Sequence, residues 1–106
     1  MRVSQERDTH KIAMLDLSQN QLTLQVKCDF KGPVKTWKKN DSEGQLFAAT
    51  FSDDSGSISM TFYREKCLLY YDLIKVGEVY RIQSYNIKNG GRFNMTTNRY
   101  ELHSNS

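Results

Sequence analysis

The 106-residue sequence predicts an all-β domain, a five-stranded Greek-key barrel with one short helix between the third and fourth strands. Three observations carry this prediction. Apolar residues alternate with polar ones in short runs, most clearly over Leu22–Phe30 and Ser57–Tyr63. Asp53-Asp54-Ser55-Gly56 and Asn89-Gly90-Gly91 separate such runs with residues that cap their own backbone or accept positive φ. Only between Tyr63 and Gly77 does the apolar period lengthen to that of a helix. A chain of this length builds one core without staples.

In chain order, Met1–Thr9 is polar and mixed in charge, so residues 1–9 are expected to be a flexible tail and 10–103 the folded domain. Ile12-Ala13-Met14-Leu15 is a short apolar entry. In the first strand Leu22, Leu24, Val26, Cys28 and Phe30 share the core face, until Lys31-Gly32-Pro33 breaks or bulges it. Val34–Trp37 continues extended into a basic loop. The second strand contributes Phe47, Ala49 and Phe51 to the core, and the third contributes Ile58, Met60 and Phe62. Ser59, Thr61 and Tyr63 then fall on the opposite face, which is polar yet ends in a ring. Cys67, Tyr70, Tyr71 and Ile74 stand at i, i+3, i+4 and i+7, the stripe of a two-turn helix. The fourth strand is expected over Glu78–Lys88, rich in β-formers, and the fifth over Arg92–Leu102. In the fifth, Phe93, Met95, Thr97, Arg99 and Glu101 share one side. Its core face is unusually polar, which points to a bulge or bend. His10 and His103 are read as tail residues.

A net charge of +3 does not by itself announce a polyanion binder, but its distribution does. Residues 31–40 hold Lys31, Lys35, Lys38 and Lys39, and residues 79–100 hold Arg81, Lys88, Arg92 and Arg99, with no acid in either segment. The rest of the chain has seven cations against twelve acids. Two acid-free segments that meet in space would form one basic patch. Trp37, the only tryptophan, precedes Lys38 and Lys39, and Tyr63 closes a strand. Rings beside ammonium groups suit single-stranded nucleic acid, which needs π-faces for bases and cations for phosphates.

Other classes find little support. Two cysteines and two distant histidines do not make a zinc ribbon, and no metal or cofactor is expected. Cys28 and Cys67 occupy apolar-periodic positions and read as reduced core residues, with a disulfide as the alternative. Asp53, Asp54 and Glu43 flank a turn without a convergent base, so a metal-assisted nuclease is set aside and no enzymatic role is expected. No apolar run reaches membrane-spanning length, and the N-terminus lacks the apolar region of a signal peptide.

Five strands with a helix between the third and fourth is the order of the OB-fold. The residues also resemble the single-stranded-DNA-binding OB domains of the replication protein A large subunit. The likeness runs from Ile12–Leu24 through VKTW at Val34–Trp37, EGQLF at Glu43–Phe47, the turn at Asp54–Gly56 and ISMTFYRE at Ile58–Glu65. It continues through Leu73–Tyr80 to Lys88, Phe93 and Tyr100-Glu101. The resemblance implies a binding mode taken over from the family. Rings matching Tyr63 and Phe93 stack on bases, Lys35 and Lys88 hold the strand, and Glu101 bonds to bases. Trp37, Lys38, Lys39, Ser59, Thr61, Arg92 and Arg99 complete the candidate surface. Two departures stand out: Ser59 and Asp41 occupy positions where the family often carries Arg.

The resemblance further implies a nuclear protein in DNA replication, repair or telomere maintenance, working beside other OB domains or subunits. A telomere-dedicated paralogue that works with telomerase fits equally well. The competing reading from the residues is an OB domain whose groove binds an acidic peptide.

Overall fold

The computed structural model describes residues 9–17, 22–90, 96 and 98–104. Its strands are β1 (Leu24–Lys31), β2 (Lys35–Lys39), β3 (Ser42–Asp53), β4 (Gly56–Tyr63), β5 (Val79–Ile82), β6 (Tyr85–Asn89) and β7 (Tyr100–Ser104). The helix α1 (Arg64–Tyr70) follows β4 directly, and a 3₁₀ turn covers Ile12–Met14. The sheet order is β5-β1-β3-β4-β7-β6, with β2 also pairing with β3. Every pairing is antiparallel except β4 with β7.

This sheet has more strands than the five expected because two of those strands are divided. The first becomes β1 and β2, separated at Gly32-Pro33-Val34, and the fourth becomes β5 and β6. Ser84 takes φ +57°, which turns the chain between the two halves of the fourth. That break brings the two ends of the strand order together in the chain. β5 pairs with β1 at one end of the strand order and β6 pairs with β7 at the other, yet only Gln83 and Ser84 separate them in the chain. The architecture is a curled sheet with one short helix, an OB-fold.

The alternation read from the sequence accounts for the core. Leu24, Val26 and Cys28 of β1, Phe47, Ala49 and Phe51 of β3, and Ile58, Met60 and Phe62 of β4 are buried together. Phe47 and Phe62, opposite each other in register, stack with ring centroids 4.6 Å apart and planes 9° apart. Leu102 of β7, Cys67 of α1 and Ile74 beyond it close the interior. Both cysteines are buried and free.

Phe30 departs from expectation. The β1–β3 register shifts between Cys28 and Phe30, so the bulge rotates that ring off the core face and leaves it 49% exposed. Tyr70 and Tyr71 are both half-buried, with the Tyr71 ring set edge-on to Phe47. The chain beyond α1 is tied back to β1. Lys31 Nζ donates to the carbonyls of Tyr71 and Ile74 at 2.8 and 3.0 Å and lies 4.2 Å from the Tyr71 ring centroid. A cation there serves the carbonyl of the residue that caps α1 and another in the turn that follows it.

At the entry, the Ile12 N–H donates to Asp53 Oδ2 at 2.9 Å, while the Ser55 N–H and hydroxyl donate to Asp53 Oδ1. Burial alone would raise the Asp53 pKa. The bonds from Ser55 and Ile12 outweigh it and hold the carboxyl below its ordinary range.

Candidate nucleic-acid interface

β2 runs antiparallel to the first half of β3, with Trp37 directly opposite Gly44. Successive side chains of a strand alternate in direction, so Lys35, Trp37 and Lys39 share one face and Thr36 and Lys38 the other. The three lysines are exposed, and Trp37 is half-buried. Its ring lies where a side chain at position 44 would go: a Cβ there would stand 2.8 Å from Trp37 Cζ2. The Arg64 guanidinium sits over the same indole, 4.8 Å from the ring centroid. Arg64 adopts φ +50°, an αL conformation that costs an L-residue roughly 1–2 kcal/mol. The indole N–H of Trp37 is buried without a hydrogen-bond partner.

β4 lies between β3 and β7, and this sets the fate of its polar face. Ser59 pairs with Thr50 on one side and Glu101 on the other and is only 4% exposed. Its side chain is thus nearly closed off on the face that the alternation left open. Thr61 pairs with His103 and is partly exposed. Tyr63 ends the strand, and its backbone N–H donates to Ser104 Oγ at 2.9 Å.

β7 brings in a residue that had been read as part of a tail. Glu101 and His103 are two apart on one strand and so point to one face. Their side chains are 16% and 18% exposed, and His103 Nε2 lies 2.9 Å from Glu101 Oε2. His103 Nδ1 is 2.8 Å from the Tyr63 hydroxyl oxygen, and the two rings stack at 5.4 Å and 24°. With Nε2 donating to the Glu101 carboxylate, the other ring nitrogen, Nδ1, is left to accept from the tyrosine hydroxyl. Burial, and secondarily the Glu101 charge, push the Tyr63 phenol up.

These elements enclose an open hollow of ≈ 490 Å³ lined by Trp37, Tyr63, Arg64, Asn86, Lys88 and His103, among others. Lys88 on β6 pairs in register with Glu101, and Asn86 with His103, which places them on the adjoining edge. Of the residues expected from sequence, Trp37, Tyr63 and Lys88 meet here, with Glu101 joined through His103. Lys35, Lys38 and Lys39 extend the same strand as Trp37. Arg99 is exposed ahead of β7, with its guanidinium 5.8 Å from the Tyr100 ring centroid. Arg92 and Phe93 lie outside the described residues.

Three residues were missed. Arg64 reads as the solvent side of a helix, Asn86 as a strand position among β-formers, and His103 as a chain end. The i, i+2 spacing of Glu101 and His103 was the available signal for the last. Among the described residues no group of three or more potential metal ligands comes together. A larger cavity, ≈ 690 Å³, lies between α1 and β5 and is lined largely by rings and aliphatic chains, including Phe51, Phe62, Tyr70, Leu73 and Tyr80.

No family model matches the chain. The "Replication protein A 70 kDa DNA-binding subunit" of Drosophila melanogaster is 34% identical over 95 residues, which is 89% of this chain and 16% of that protein. The S. cerevisiae replication protein A DNA-binding domain A superposes with a TM-score of 0.76 at 28% identity, covering 91% of this chain and 85% of that domain. The chain is similar, over most of its length, to an OB domain of the replication protein A large subunit. A chain of a replication protein A heterotrimer bound to single-stranded DNA superposes more closely still, with a TM-score of 0.85 at 27% identity over 91% of this chain and 22% of that one. The chain thus spans about a sixth of the curated replication protein A subunit it matches.

Proposed function

We propose that this domain binds single-stranded DNA, with bases against Tyr63 and phosphates held by Lys88, Arg64 and the lysines of β2. The observation that carries the reading is the convergence of an aromatic pair and two cations on one open hollow: Trp37, Tyr63, Arg64 and Lys88. In this reading Phe93 is the second stacking ring and Arg92 a phosphate contact, as the family's pattern implies. Lys35 tracks the backbone, Glu101 meets the strand beside Lys88, and Arg99 meets it beyond them. Thr61 contributes from the floor of the groove. The domain acts as a binder and not a catalyst. It works in the nucleus, in replication, repair or telomere maintenance, beside sister OB domains and partner subunits, with telomerase among them in the telomeric case. Similarity to a subunit of a DNA-bound heterotrimer supports that setting.

The test is an NMR titration with a short oligothymidine. Shifts clustered on Trp37, Tyr63, Lys88 and His103 are expected. Shifts gathered around Leu73 and Tyr80 would move the site to the larger cavity. An acidic peptide that perturbs the hollow where the oligonucleotide does not would replace nucleic acid with protein as the ligand.

A further inference from the structure

A tyrosine at the end of a strand has rotamer freedom that binding a base would have to remove, at a cost in affinity. In this fold the freedom is already restricted from β7. The Tyr63 hydroxyl is hydrogen-bonded to His103 Nδ1 at 2.8 Å, and the His103 ring is stacked with the phenol. His103 is itself held on its far side, 2.9 Å from Glu101 Oε2. The strands make this possible. Parallel pairing sets His103 opposite Thr61, two residues before Tyr63, so the phenol reaches the imidazole diagonally across the β4–β7 pair.

Glu101 therefore has a second task on β7 besides meeting the strand. It fixes the imidazole tautomer, and the tautomer offers Nδ1 as an acceptor for the phenol. An acid beside a polyanion site lowers affinity through charge, and this positioning role gives that charge a structural reason.

We propose that His103 is a positioning residue for single-strand binding: acting through the Tyr63 hydroxyl and oriented by Glu101, it holds the phenol ready to stack. The inference rests on the single-stranded DNA reading above. It distinguishes this platform from a plain phenyl ring, because the hydroxyl is the handle by which β7 holds it.

The test is a double-mutant cycle on oligothymidine affinity, using Tyr63→Phe, His103→Ala and the double variant, with His103→Asn as the conservative control. Each single change should weaken binding roughly two- to tenfold by freeing one side chain. The double variant should bind no more weakly than the worse single one. His103→Asn, which can place an amide atom near the position of Nδ1, should recover most of the loss. Thermal melts identify any variant that has lost its fold, and the affinities of the remaining variants decide. Multiplying effects, or a His103→Ala loss undiminished when Tyr63 is already Phe, would overturn the proposal while leaving the DNA reading intact. A wild-type domain that binds no oligonucleotide would overturn that reading and this inference with it.

Discussion

Gly44→Ala isolates the seat of Trp37. The φ of Gly44 lies outside the left-handed region, so alanine is compatible with the backbone and the effect is one of contact alone. The new Cβ would stand 2.8, 3.0 and 3.1 Å from Cζ2, Cε2 and Nε1 of the indole. Carbon atoms settle at about 3.5–4.0 Å, so the ring must retreat by about 0.5 Å or more or swing to another rotamer. Overpacking in a closed core costs about 1–3 kcal/mol, and a half-exposed ring can yield, so the lower end applies. About 1 kcal/mol corresponds to a melting-point drop of about 4–8 °C for a domain of this size. The displaced ring also leaves the Arg64 guanidinium, so binding should weaken by roughly three- to tenfold, within the range for losing one stacking or cation–π partner. Trp37 is the only tryptophan, which makes intrinsic fluorescence a direct reporter of its seat. Unchanged emission, melting point and oligonucleotide affinity would refute the packing of Trp37 on Gly44 and its place in the hollow.

Other expected outcomes concern stability and pH. Phe62→Ala should destabilise the domain by roughly 3–5 kcal/mol, since its ring is 5% exposed and stacked on Phe47. Tyr63→Ala should instead cost about 1–3 kcal/mol in DNA binding, a range that draws partly on replication protein A itself, with a near-native melt. Asp53 is held below the ordinary carboxylate range, so its contribution is present above an unfolded carboxyl's pKa and is lost as pH falls through its own. Asp53→Asn should flatten that acid loss in a series of melts, and an identical acid profile would contradict it. Burial pushes the Tyr85 phenol up to about 12, so its contribution is complete below the unfolded pKa near 10 and declines toward pH 12. Tyr85→Phe should be less sensitive over that alkaline window than the parent.

What the sequence made legible follows from how each strand is flanked. β3 and β4 are paired along most of their length, so period two maps directly onto burial, and Phe47, Ala49, Phe51, Ile58, Met60 and Phe62 are where the alternation puts them. Alternation fails where the register breaks. Phe30 follows a bulge and turns outward, and Ser84 at φ +57° divides a strand that propensity alone reads as continuous. It also misleads at Ser59, because a neighbour on each side of the strand buries a polar residue on the face expected to be open. The lining of the hollow was legible where a residue's chemistry spoke for itself, as with Trp37, Tyr63 and Lys88. Arg64 and His103 owe their places in that lining to cross-strand placement. One reaches back over an indole from the start of α1, and the other meets a phenol across a parallel pair that no local pattern announces.

The central claim, that the hollow between β2, β4, β6 and β7 is a single-strand site, is tested most directly by titrating a labelled oligonucleotide at several salt concentrations, single-stranded and as duplex. Stacking needs unpaired bases, so the single strand should bind far more tightly. The logarithm of its affinity should fall with that of salt at a slope of about −2 to −3, from three or four phosphates at about −0.7 each. Equal affinity for duplex, or binding indifferent to salt, would contradict it.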